Sequence, residues 1–91
     1  MRIVGEVDHP KYKITIFKMN ERLSVKIEDR LLEQIYKFRD GSGIEKPAHV
    51  EKLLTPSFID AVEANFDAMR RTYQLGIDDM LAEEGIGFEI I

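Results

Sequence analysis

One apolar stripe constrains this chain more than any other feature. Ile59, Val62, Phe66, Met69, Tyr73, Ile77 and Met80 recur at steps of three and four residues, which places them on one face of a helix. Thr55-Pro56 marks the start of that helix, because proline at the first helical position forfeits no hydrogen bond. Asp60 lies near the same end, where the helix dipole favours an anion. Gly85 marks the stop. A helix over 56–84 spans about 43 Å at 1.5 Å per residue. A globule of 91 residues has a radius of gyration of only about 12 Å. Either the helix breaks at Gly76, where glycine costs roughly 1 kcal/mol relative to alanine, or part of the stripe overhangs the globule. Overhanging apolar surface is normally covered by a partner.

The first third of the chain has a different period. In 11–18 the apolar residues are Tyr12, Ile14 and Ile16; in 22–28 they are Leu23, Val25 and Ile27. Alternation of this kind marks strands with one buried face. Met19-Asn20-Glu21 makes a turn between them, with Asn20 suited to a positive φ. Asp8-His9-Pro10 is a turn signal upstream, so residues 2–7 form a first strand. The period then changes at Asp29. Leu31, Leu32, Ile35, Tyr36 and Phe38 fall at helical spacing, with Asp29 as N-cap and Gly41 and Gly43 as the stop. Residues 40–46 are a loop, and Pro47 opens a short helical piece through Leu54. Gly87 to Ile91 reads as a closing strand beside the first. The expected fold is therefore α+β, in the order β-β-β-α-α-α-β. It is a three-stranded antiparallel meander, then three helical segments on one sheet face, then a C-terminal strand joining the sheet. Two layers of this kind bury both sets of apolar surface in a single domain over 1–91.

Charge and composition narrow the function classes. The chain carries 13 Lys and Arg against 17 Asp and Glu, a net charge of -4. That balance argues against wrapping duplex DNA over a large surface. The absence of Cys excludes disulfides, thiolate metal sites and thiol nucleophiles. No window resembles a signal peptide or a spanning helix, so a cytoplasmic protein is expected, with no membrane attachment. His9 and His49 are distant in sequence and fit turn and helix positions better than a metal site. Ser42, in Gly41-Ser42-Gly43, lacks the five-residue frame of a nucleophile elbow, and the same loop lacks a P-loop ending. No enzyme activity, cofactor or metal is expected.

Two surfaces remain as candidates. The long helix presents Phe66, Met69, Tyr73 and Met80, followed by the acidic run Asp78, Asp79, Glu83 and Glu84. This points to a self-associating, non-catalytic interaction or accessory domain, most simply a homodimer, with an unidentified protein partner as a further possibility. For the acids taken alone, a solvated helix face that keeps the protein soluble is the favoured reading, and a basic patch on a partner is their most credible functional use. The alternative function is single-stranded RNA binding. Residues 1–30 carry a net charge of +2 and residues 31–91 a net charge of -6. Lys11, Lys13, Phe17 and Lys26 fall on the outer sheet face expected from the alternation, where bases stack and phosphates are neutralised in sheet-based RNA binders. An ordinary solvated sheet face accounts for the same lysines.

Overall fold

The structure, a computed structural model, describes residues 1–85. Four strands, β1 (Arg2–Val7), β2 (Lys13–Met19), β3 (Arg22–Asp29) and β4 (Leu32–Lys37), form one antiparallel sheet in the order β1-β2-β3-β4. Two helices follow, α1 (Pro47–Leu53) and α2 (Pro56–Glu84). The α+β class and the N-terminal meander stand as the alternation implies. The closing strand expected over 87–91 lies outside the described residues.

The turns explain the meander. Asn20 and Glu21 both have positive φ, 53° and 67°, between the paired residues Met19 and Arg22. Two positive φ values in a two-residue loop are the signature of a mirror-image hairpin turn, whose twist matches that of the strands. Arg30 (φ 59°) opens the next two-residue loop, between the paired Asp29 and Leu32. A register shift between Ile3 and Gly5 puts a bulge in β1. Gly5 faces Ile16 and Pro47, and a Cβ there would make ordinary contacts with both, at 3.5 and 3.7 Å.

The segment expected to be a helix from Asp29 is β4, so the described residues hold two helices where three helical segments were expected. Helical spacing at Leu31, Leu32, Ile35, Tyr36 and Phe38 conceals a second pattern of period two: Leu32, Gln34, Tyr36. That face points toward the helices, with Gln34 buried. Leu31 (83% exposed) and Ile35 (50%) face solvent. Pairing decides between the two patterns. As a strand, this segment satisfies the free edge of β3 from Ser24 to Asp29, and an unpaired edge is a liability. Asp29 is consequently not a helix cap but the last residue of β3. Gly41 and Gly43, with φ of 82° and 89°, turn the loop between β4 and α1 instead of ending a helix.

Both helices cover the same sheet face. Tyr12, Ile14, Ile16, Leu23, Val25 and Ile27 meet Val50 of α1 and Val62 and Phe66 of α2 in one buried cluster. The Thr55 side chain accepts from Phe58 N and so caps α2, and Gly85 ends it in the left-handed conformation, φ 72°. Along α2, Phe58 packs edge-on against Tyr36, Val62 O accepts from Gln34 Nε2 at 2.9 Å, and Arg70 Nη1 donates to Asp29 Oδ2 at 3.0 Å. The helix thus runs antiparallel to β4 and passes the β3–β4 hairpin at Arg70. It is unbroken through Gly76, so the long-helix alternative holds. The molecule measures 53 × 28 × 19 Å, with a radius of gyration of 17.3 Å.

Candidate interaction surface

The sheet ends at the Arg30-Leu31 hairpin, and α2 does not. Every residue from Arg70 to Met80 is exposed. The stripe that buries Val62 and Phe66 continues through Tyr73 (49% exposed), Ile77 (37%) and Met80 (52%), past the end of the sheet formed by the described residues. From Arg70 to Glu84 this free arm extends about 21 Å.

Among the residues expected to form an interaction surface, Phe66 is corrected: it is fully buried and belongs to the core, its ring 5.4 Å from that of Tyr12. Met69 is half-buried against the same cluster. Tyr73 and Met80 lie on the arm, with Asp78, Asp79, Glu83 and Glu84 exposed along it. The hairpin tip adds Leu31, which pattern reasoning had assigned to a helix face. Leu31, Leu32, Arg30, Arg70 and Tyr73 line a cleft of about 240 Å³. A second, shallower cleft of about 360 Å³ lies between Leu32, Met69, Thr72 and Tyr73. Leu32 and Tyr73 border both, so the two clefts meet where α2 leaves the sheet.

Arg70 fastens this junction. Its guanidinium donates to Asp67 Oδ1 at 2.6 Å and to Asp29 Oδ2 at 3.0 Å. The two carboxylates, Asp67 foremost, raise its proton affinity above that of an ordinary arginine. A second polar tie lies about two turns deeper. Gln34 donates to Val62 O, while its Oε1 accepts from the Tyr36 hydroxyl and from Asn65 Nδ2. Local spacing signals neither tie directly; the sequence feature that marks the second is a glutamine at an inward position of a period-two pattern.

The outer sheet face is less basic than expected. Lys13, Phe17 and Lys26 share it, with Lys26 Nζ 5.1 Å from the Phe17 ring centre. Lys26 also lies 3.5 Å from Glu28, and by register Glu6, Glu33 and Lys37 stand on the same face, so its acids match its lysines. Lys11 is not part of it. It precedes β2 and reaches Glu63 of α2 at 3.5 Å, on the helix side.

The histidines satisfy backbone amides, His9 in the turn before β2 and His49 at the start of α1. His9 Nδ1 accepts from the backbone N–H groups of Lys11 and Tyr12, and His49 Nδ1 from those of Glu45 and Lys46. Each ring nitrogen so occupied satisfies loop amides that have no other partner in a ladder. Among the described residues, no group of three or more His, Asp or Glu side chains is placed to hold a metal ion, and no helix is long and apolar enough to cross a membrane. Compared with protein-family models, curated proteins and solved structures, the chain matches none.

Proposed function

We propose that this chain is a non-catalytic, self-associating interaction domain whose setting is the cytoplasm, and that the free arm of α2 is the part by which it associates. One observation carries the reading: the core stripe of α2 continues into solvent through Tyr73, Ile77 and Met80. Contiguous exposed apolar surface bordered by charges is characteristic of protein interfaces. The alternation of buried and exposed turns along one unbroken helix separates the two tasks. Val62 and Phe66 hold the fold; Tyr73 and Met80 remain available to a partner.

The test is a double substitution, Tyr73→Glu with Met80→Glu. Native mass spectrometry of the unaltered protein at micromolar concentration is expected to give a dimer. The double variant is expected to be a monomer with unchanged far-ultraviolet circular dichroism. An unaltered protein that stays monomeric up to about 100 µM, a weak affinity even for transient complexes, would overturn the proposal.

A second reading, single-stranded RNA binding, draws on the placement of Lys26 over Phe17 with Lys13 on the same open face. Its weakness is the acids around that pair. It requires binding at low salt that falls steeply as salt is added.

A further inference from the structure

We infer that the arm's partner is a second copy of this chain, packed antiparallel about a two-fold axis near Ile77, with Glu84 of each copy against the partner's Arg30. This rests on the reading of α2 as the association arm and specifies its geometry.

The arm is polar along its length. At the hairpin end stand Arg30, Arg70 and Arg71; toward the free end stand Asp78, Asp79, Glu83 and Glu84, with no Lys or Arg beyond Arg71. Arg70 is already engaged by Asp29 and Asp67, whereas Arg30 has no ion pair among the described residues. It is exposed at the hairpin tip beside Leu31, on the rim of the cleft that Tyr73 lines. Arg70 and Glu84 are about 21 Å apart along the helix, and Ile77 lies midway. A two-fold axis at Ile77 therefore lays the acidic end of each arm on the basic hairpin of the other. Parallel packing would set acid on acid, which is destabilising.

Two further facts agree. A helix C-terminus carries partial negative charge, so Glu83 and Glu84 in the last turn oppose the dipole of the isolated helix. Their placement disfavours the free arm and favours one whose end meets a cation. Gly76, beside the proposed axis, has nothing within 4 Å of where a Cβ would stand. The monomer does not require glycine there, and a helix crossing at Ile77 gains closer approach from it. The same register brings the partner's Leu81 toward Tyr73 and Leu31, covering the most exposed leucine of the chain.

Charge exchange tests the register. Glu83→Arg with Glu84→Arg in one variant, and Arg30→Glu in another, are each expected to weaken the homodimer by roughly tenfold or more. Mixed together they should form a heterodimer close to the unaltered affinity, because both of its symmetry-related contacts then join opposite charges. Ile77→Cys gives a second readout in a chain without cysteine: mild oxidation is expected to crosslink it into a covalent dimer, and Lys52→Cys is not. A dimer that ignores the charge exchange and fails to crosslink through position 77 overturns this arrangement while leaving self-association standing. A monomeric unaltered protein removes the underlying reading itself.

Discussion

Phe66 and Tyr73 lie two turns apart on one stripe of one helix, and the fold assigns them opposite roles. Phe66→Ala removes a fully buried ring packed on Tyr12. Such truncations cost about 3–5 kcal/mol, the lost transfer energy plus the cavity left behind. A domain of this size has about 5–14 kcal/mol of stability in total. At about 4–8 °C per kcal/mol, the Tm should fall by about 12–40 °C. Tyr73→Ala removes a half-exposed ring past the end of the sheet formed by the described residues, so the dilute monomer should lose at most about 1 kcal/mol. Its effect should appear elsewhere. Binding that favours the folded dimer makes Tm rise with protein concentration. The unaltered protein should show that rise between about 1 and 100 µM, and Tyr73→Ala should abolish it. Urea titration at a dilution where native mass spectrometry shows monomer isolates the monomer, and thermal melts across the range report association. If Tyr73→Ala costs the dilute monomer as much as Phe66→Ala does, the arm is packed in solution and the division of the stripe is wrong.

Other substitutions probe the remaining parts. Gln34→Leu leaves the Tyr36 hydroxyl and Asn65 without their shared acceptor, and should cost about 1–3 kcal/mol in urea titration. Adding Tyr36→Phe should recover part of that loss. Tyr12→Phe deletes a buried hydroxyl without a partner among the described residues. It should be neutral or stabilise by up to about 1 kcal/mol, and a clear loss of Tm would show that the hydroxyl is satisfied. Glu21→Gly relieves a positive φ in the first hairpin at the expense of an exposed pair with Lys18, and should raise Tm by a few degrees, about 0.5–1 kcal/mol. Fluorescence anisotropy with a labelled single-stranded RNA at low salt should stay flat; a salt-sensitive rise lost in Lys13→Glu would instead favour the sheet face.

The parts legible in the sequence were those where one period dominates. Tyr12 to Ile27 alternates cleanly, and the stripe from Ile59 to Met80 reads only as helix, from its Thr55-Pro56 start to its Gly85 stop, with continuity at Gly76 the one point left open. The residues after Asp29 carry two periods at once. Counting apolar positions selected the helical one because Gln34 is polar, yet its amide is buried by hydrogen bonds to Val62, Tyr36 and Asn65. Long-range pairing, invisible to a local count, overrode the local pattern. The same error placed Asp29 at a helix start, which hid its contact with Arg70. Phe66 was misjudged for a related reason: a stripe shows which residues share a face, but where the sheet beneath it ends depends on β4.

The unbroken passage of α2 from core to solvent has a consequence for how the arm forms. A helix of the arm's length, cut free, would scarcely persist in water, because its first turn immobilises several residues for a single hydrogen bond. Here the buried turns around Val62 and Phe66 supply that nucleus, and each later residue has only to extend an existing ladder. Extension is nearly balanced for most of these residues and unfavourable at Gly76. The arm therefore behaves like a zipper closed at one end, opening from Glu84 inward with a step at Gly76. Backbone amides should exchange fastest beyond that step and progressively more slowly toward Arg70. A molecule that grips the last turns closes the zipper, so the exchange rate of those amides is a gauge of whether the arm is occupied.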